Sequence, residues 1–225
     1  MTQQVRGVIL DIDGTLINSN DAHARAWVQA LAQFDIYVPF PDVRRLIGMG
    51  GDKLLPAIAR IEEDSPLGKK VGERRSAIFE DRYLPQVKAF PKTRELLTKM
   101  RDAGLALAVA SSAKKAELEP FLRLANVLDL IEGATSSSDA ENSKPDPDIV
   151  QAALHKLGLA PGRALMIGDT PYDIEAASRA GSRTIAFRCG GRSDHDLAGA
   201  LAIYDDPADL LAQFESSPLA KPQSA

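Results

Sequence analysis

The segment ILDIDGTLINSND (residues 9–21) joins an apolar run to two aspartates, Asp11 and Asp13, that stand one residue apart. Like charges at the end of a buried run repel each other, so the pair predicts a third group of opposite sign. The apolar run covers residues 5–10 and is too short for a helix, which favours a strand. The segment therefore predicts a strand that ends at an acidic, ligand-binding loop.

Short apolar runs of this kind recur along the chain, each bounded by Gly, Asp or Ser. They span residues 5–10, 105–110, 164–167, 184–187 and 201–204, with a weaker run near Leu130. Helical patterns at 91–103, 145–157 and 171–180 lie among the later runs, and each opens on proline and closes before glycine. Alternating strands and helices predict an α/β fold with a doubly wound, Rossmann-like parallel sheet.

The span 19–84 is the exception to this alternation, because its apolar residues keep helical spacing and no clear strand occurs. It predicts a small, all-helical domain inserted between two segments of the α/β core, residues 1–18 and 85–225. The last ten residues, 216–225 (SSPLAKPQSA), are polar and contain two prolines. They predict a disordered tail.

Composition excludes several classes of partner. The chain has 225 residues and a net charge of −4, and its basic residues are scattered, which argues against binding to nucleic acid or anionic lipid. No apolar run approaches the roughly 20 residues of a membrane span, and the N-terminus lacks a signal-peptide pattern, so we expect a cytoplasmic protein. Cys189 is the single cysteine and cannot form an internal disulfide.

Polar residues follow several predicted strands, at the edge where an open parallel sheet collects ligands. They are Asp11 and Asp13, Ser111 and Ser112, Lys144, Asp169 and Asp173. Each has a simpler alternative, as a turn residue, a helix cap, a helix-start acid or, for Lys144, a solvated loop lysine. Together they would bring a nucleophile, hydroxyls, a cation and metal ligands to one crevice.

In their order, these residues resemble the four motifs of the haloacid dehalogenase superfamily of phosphohydrolases. The matching segments are DIDGTL (residues 11–16), the first serine of SSAKK (Ser111), the lysine of SKPDPD (Lys144) and GDTPYD (residues 168–173). The helical insert resembles the small cap domain of the phosphoglycolate phosphatase and β-phosphoglucomutase branch. The resemblance implies a Mg²⁺-dependent phosphatase for a small phosphorylated metabolite, acting through an aspartyl phosphate. A cap that opens with each turnover is compatible with a monomer, and a dimer stays open.

The resemblance also implies a role for each core residue. Asp11 would attack phosphorus, and Asp13 would serve first as general acid and then as general base. Ser111 and Lys144 would hold the phosphate oxygens. The implied magnesium ligands are Asp11, the backbone carbonyl of Asp13 and Asp169, with Asp173 orienting a bound water.

In the helical insert, His23 matches a histidine that approaches the acid/base aspartate in sugar-phosphate enzymes of this branch. A packed or solvated histidine is the alternative. The glycine-rich stretch GMGGDK (residues 48–53) could bring Gly48 and Lys53 to an anion, or form a plain turn. With Ser112, these three residues are the predicted substrate contacts.

Two other activities remain open at this point. A β-phosphoglucomutase-like enzyme is expected to carry arginine and serine in the loop of the insert and a Glu-Asp pair in the last motif. Here the loop reads Gly-Met-Gly-Gly and the last motif Gly-Asp-Thr, which favours a hydrolase over a phosphomutase. A non-enzymatic phospho-receiver also clusters aspartates with a lysine, but it needs no cap, so the helical insert counts against it.

Overall fold

The computed structural model describes residues 4–113, 115–136 and 139–220. Contacts divide the chain into two compact units. The core unit contains the residues up to Asn18 and those from Ala89 onward, and the insert unit is Ser19–Lys88. The sequence predicted a return to the core at residue 85, whereas the structure keeps residues 85–88 with the helices, because the turn at Leu84–Gln86 continues the last helical segment.

The insert unit is helical, as its apolar spacing predicted. Its helices are α1 (Asn20–Ala32), α2 (Phe40–Arg44), α3 (Gly51–Ala59) and α4 (Pro66–Ile78), followed by a π-helical segment at Phe79–Tyr83 and a 3₁₀ turn at Leu84–Gln86. Helix α1 buries Ala26, Trp27, Ala30 and Leu31 along one face and packs against α4. Ser65 caps α4 by accepting a 3.0 Å hydrogen bond from the Gly68 N–H.

The core unit is built on a parallel sheet of six strands. They are β1 (Gly7–Leu10), β2 (Ala106–Ala110), β3 (Gly133–Thr135), β4 (Ala164–Gly168), β5 (Arg183–Phe187) and β6 (Ala202–Tyr204). Their order is β3-β2-β1-β4-β5-β6, so the chain winds outward from β1 in both directions. The predicted doubly wound, Rossmann-like fold is confirmed.

Strand register brings three loops to one edge of the sheet. Leu10 of β1 pairs with Val109 of β2 on one side and with Ile167 of β4 on the other. All residues of β1 and β4 are buried, which explains why these segments read as continuous apolar runs. The residues that follow these strands at the same edge are Asp11, Ser111 and Asp169.

The core helices surround this sheet. They are α5 (Thr93–Asp102), α6 (Lys115–Leu124), α7 (Asp148–Leu157), α8 (Pro171–Arg179) and α9 (Pro207–Ala212). Helix α7 begins three residues after its predicted start at 145, because Pro147 disfavours helical geometry in the residue before it. It ends as predicted at Gly158, which adopts φ +63° in the left-handed region.

Two further predictions differ from the structure. The weak run near Leu130 forms a 3₁₀ turn at Leu128–Leu130, and the edge strand β3 follows it. Residues 216–220, predicted as the start of a disordered tail, are folded, because Ser217 and Leu219 are buried. Residues 221–225 lie outside the described residues. In the described part of the chain, no helix is long and apolar enough to cross a membrane.

Candidate active site

Asp11 lies at the centre of the sheet edge and is held through both its backbone and its side chain. Its N–H donates a 2.9 Å hydrogen bond to the Ile167 carbonyl, which extends the pairing of β1 with β4 by one residue. The side chain is buried, and its Oδ1 accepts a hydrogen bond from Lys144 Nζ. Its Oδ2 lies 3.5 Å from the Thr15 hydroxyl. The carboxylate therefore has a defined orientation at the end of β1.

Lys144 is completely buried and is not the solvated loop lysine that the sequence also allowed. Its ammonium donates to Asp11 and, at 2.7 Å, to Oδ1 of Asp173. Burial favours the neutral amine, but the charges of Asp11 and Asp173 outweigh it and raise the pKa of Lys144 above its ordinary value. The site therefore contains one buried, fully charged ammonium.

Asp173 belongs both to the capping box of α8 and to the site. Thr170 and Asp173 form a capping box at the start of α8, in which the Thr170 hydroxyl accepts from the Asp173 N–H at 3.2 Å. Oδ2 of Asp173 accepts from the Thr170 N–H at 3.0 Å and from its hydroxyl at 2.6 Å. Because Oδ1 binds Lys144, both oxygens of Asp173 are engaged.

Three buried carboxylates, those of Asp11, Asp169 and Asp173, form an acidic cluster. Each contributes an oxygen, and these oxygens lie within 4.8 Å of one another. Burial raises the pKa of Asp11 well above its usual value; Lys144 opposes this effect, while the charges of Asp173 and Asp169 add to it. Hard oxygen donors at this spacing suit a divalent cation. The acidic cluster could therefore hold a metal ion.

Ser111, the residue after β2, makes two hydrogen bonds with backbone groups. Its N–H donates to the Thr135 carbonyl at 3.1 Å, and its side-chain oxygen accepts from the Ala113 N–H at 3.1 Å, a local bond within the loop before α6. The hydroxyl keeps its own hydrogen, so it can still donate to a ligand. The neighbouring Ser112 is half-buried, and so is Asp13, which follows Asp11 by two residues.

The insert unit contains three of the predicted substrate contacts, His23, Gly48 and Lys53. His23 is buried on α1, and its ring stacks on Phe79 with the centroids 4.0 Å apart. Its Nδ1 lies 2.5 Å from a guanidinium nitrogen of Arg75. Gly48 has a φ of +112°, and Lys53 is half-buried in the first turn of α3. Their predicted contacts with substrate stay predictions.

Residues 8–187 match the family of haloacid dehalogenase-like hydrolases, and this stretch includes the whole of the site described above. The phosphoglycolate phosphatase of Rhodospirillum rubrum is 30% identical over 218 residues, covering 91% of this chain and 89% of that protein. The chain belongs to the haloacid dehalogenase-like hydrolase family.

Two other comparisons also find similar proteins. A hydrolase from Pseudomonas syringae has a structure with a TM-score of 0.87 and 30% identity, covering 94% of this chain and 98% of that one. The chloroplastic protein SUPPRESSOR OF QUENCHING 1 of Arabidopsis thaliana is 32% identical over 189 residues, which are 82% of this chain and 18% of that protein. The chain thus spans less than a fifth of that relative. Together, family and relatives support a phosphatase, so the predicted enzyme class is confirmed.

The structure of this hydrolase brings together most of the predicted core residues and adds two that sequence reasoning missed. Thr15 donates to Asp169 Oδ1 at 3.2 Å and lies beside Asp11, which links two members of the acidic cluster. Thr170 holds Asp173. The Thr-x-x-Asp pattern before α8 is a capping-box signal that could have identified Thr170. Nothing local to the sequence points to the contact between Thr15 and Asp169, which lie 154 residues apart.

Proposed function

We propose that this chain is a Mg²⁺-dependent phosphatase that hydrolyses a small organic phosphate monoester, of the phosphoglycolate or sugar phosphate type, through an aspartyl-phosphate intermediate. One observation carries the proposal: the buried Asp11 carboxylate shares an ammonium with Asp173 and lies in a cluster with Asp169. A site that only bound phosphate would need cationic or neutral donors. Buried carboxylates beside a phosphate require a metal ion, and one of them can then act as the nucleophile.

The acidic cluster fits a magnesium ion by the chemistry of its donors, because Mg²⁺ prefers oxygen ligands and takes few protein carboxylates. We propose Asp11 and Asp169 as carboxylate ligands and the Asp13 backbone carbonyl as a third ligand. Asp173 has both oxygens engaged with Lys144 and Thr170, which supports a positioning role for it behind the ligands. When bound, the ion would offset the repulsion between an anionic carboxylate and an anionic phosphate.

The proposed reaction has two steps that both use Asp11. In the first, an Asp11 oxygen attacks phosphorus, the bond from phosphorus to the ester oxygen breaks, and Asp13 gives its proton to the departing alkoxide. In the second, Asp13 takes a proton from a water that attacks the same phosphorus. The aspartyl–phosphorus bond then breaks, which releases phosphate and regenerates Asp11. Throughout, the Ser111 hydroxyl and the Lys144 ammonium would donate hydrogen bonds to the phosphate oxygens.

Substrate choice is proposed to depend on a second set of residues. Ser112 in the core unit and His23, Gly48 and Lys53 in the insert unit are the proposed contacts with the organic part or its phosphate. If so, substituting Ser112 or Lys53 by alanine raises KM more than it lowers kcat. We further propose a cytoplasmic monomer; cell fractionation and light scattering after gel filtration measure these two properties.

The experiment that tests the proposed function measures phosphate release from a substrate panel. The panel contains phosphoglycolate, hexose and pentose phosphates, and nucleoside monophosphates, each with Mg²⁺ and with EDTA. We expect magnesium-dependent release concentrated on one compound. Equal release with EDTA would contradict the metal requirement. Conversion of a sugar 1-phosphate to its 6-phosphate without free phosphate would replace the phosphatase by a phosphomutase.

A further inference from the structure

The loop that follows β5 contains a glycine, Gly190, that lies directly against Asp169 and belongs to none of the four motifs. A Cβ placed on Gly190 would lie 1.8 Å from Asp169 Oδ2 and 2.4 Å from its Cβ and Cγ. Side chains do not approach this closely, so the backbone of Gly190 fills the space beside the Asp169 carboxylate. Gly191, the next residue, has a φ of +88°, whereas Gly190 is not among the described glycines with positive φ. Glycine is therefore required at position 190 because no side chain fits there, and not because the backbone needs a positive φ.

This loop makes contacts with several neighbouring segments. The Arg188 guanidinium contacts Asp194 at 2.6 and 3.0 Å and Asp205 at 2.7 Å. The Cys189 N–H donates to the Asp205 carbonyl at 2.9 Å. On the side of the first motif, Cys189 Sγ lies 3.4 Å from the Gly14 carbonyl oxygen, to which it donates. Gly190 is thus held between β5, the β6 end and the loop that carries Asp11.

Asp169 is confined from two directions. Its Oδ1 accepts the 3.2 Å hydrogen bond from Thr15, and its Oδ2 lies on the side where Gly190 leaves no room for a methyl group. Asp169 is completely buried, so a displaced carboxylate has no solvent to move into. A side chain at position 190 would therefore have to displace Asp169 or the loop that carries Gly190.

We propose that Gly190 is a positioning residue of the metal centre, where the absence of a side chain lets Asp169 keep its place in the acidic cluster. The metal-binding part of this inference rests on the proposed function. The steric part concerns only the contact between Gly190 and Asp169.

The first test measures binding of Mn²⁺ alone to the purified full-length chain, by calorimetry and by the electron paramagnetic resonance of the free ion. We expect Gly190→Ala to weaken Mn²⁺ binding by about 10- to 100-fold, the usual effect of disturbing the support of a metal ligand. Gly72→Ala is the matched control, because a Cβ at Gly72 meets nothing within 4 Å, and its affinity should equal that of the wild type. Wild-type affinity in Gly190→Ala would overturn the proposal. A wild-type chain that binds no Mn²⁺ would instead overturn the proposed metal-dependent function.

The second test needs no metal and separates the contact from general strain in the loop. It compares the Tm change caused by Gly190→Ala in the wild type and in Asp169→Gly, a variant that lacks the opposing side chain. We expect a clear loss of Tm in the first background and little or none in the second. If Gly190→Ala alone does not fold, the double variant should still do so. Equal losses in both backgrounds, or failure of the double variant to fold when Asp169→Gly folds, would disprove the contact.

Discussion

The ammonium of Lys144 donates a 2.7 Å hydrogen bond to Oδ1 of Asp173, and both side chains are almost completely buried. This ion pair connects the segment before α7 to the first turn of α8. The same ammonium reaches Asp11, so one cation orders two carboxylates from distant parts of the chain. A buried ion pair gives little net stability over an apolar pair of the same size, because desolvation offsets the attraction. We therefore infer that the ion pair of Lys144 with Asp173 is present because the active site needs it, and not because it stabilises the fold.

Replacing Lys144 by methionine should abolish turnover and destabilise the fold. Without the ammonium, the buried carboxyl groups of Asp11 and Asp173 lose their cation, which costs about 3–5 kcal/mol of unfolding free energy at neutral pH. Urea unfolding measures the loss, and phosphate release measures turnover. Lys156→Met is the control, because Lys156 makes its 3.2 Å ion pair with Asp139 and its hydrogen bond to the Ala134 carbonyl at a partly exposed position, so their loss should cost about 1 kcal/mol or less. Equal costs for the two variants would contradict this account.

Asp11→Asn should eliminate turnover without loss of structure. The amide matches the carboxylate in size but is a poor nucleophile, and burial already disfavours the charge that it removes. The Tm measured in EDTA should therefore not fall, and the circular dichroism spectrum should stay the same. Asp102→Asn, at an exposed position on α5, should keep full activity. Turnover near the wild-type level in Asp11→Asn would rule out Asp11 as the nucleophile.

Thr170→Val should weaken both the fold and the chemistry. The variant keeps the shape of the side chain but loses the capping hydroxyl, which should lower the unfolding free energy by about 1 kcal/mol. It also releases one partner of Asp173, so we expect kcat to fall about tenfold, as for other supports of a metal site, with little change in KM. Ser65→Ala removes a cap of the same kind from α4 and should cost similar stability while leaving kcat unchanged. A kcat loss in both variants would show that stability alone limits activity.

Asp139 gives a prediction about pH. The Ser136 hydroxyl, followed by the Ser136 N–H, lowers the pKa of Asp139 to about 2. Because the pKa is lower in the folded chain than in the unfolded one, the stabilisation is complete above about pH 4 and disappears as pH falls through about 2. At neutral pH, Asp139→Asn should lower the unfolding free energy by roughly 1 kcal/mol, after allowance for solvent screening. Urea unfolding between pH 7 and pH 3 should show a shrinking gap between variant and wild type, and a constant gap would refute the prediction.

Much of the core unit could be predicted from local sequence patterns. Apolar runs of strand length, separated by helices that begin at proline and end at glycine, are sufficient for a parallel α/β sheet. Since parallel strands place their carboxyl ends at one edge, residues that follow β1, β2 and β4 could be assigned to one site from the sequence alone. Patterns of this kind depend only on residues that are neighbours in the sequence, so they predict strands and helices without knowledge of the fold. Local patterns do not determine element boundaries such as the start of α7, because proline geometry and tertiary packing compete there.

The sequence by itself determined the fold class and the residue types of the site, because both depend on short-range periodicity and on motifs of a few residues. Only the tertiary structure decided how the site residues are paired. The burial of Lys144 between Asp11 and Asp173, the link from Thr15 to Asp169 and the close approach of Gly190 join residues far apart in the chain. Such contacts arise from strand order and register, and no local pattern encodes which side chains will meet or how much space separates them.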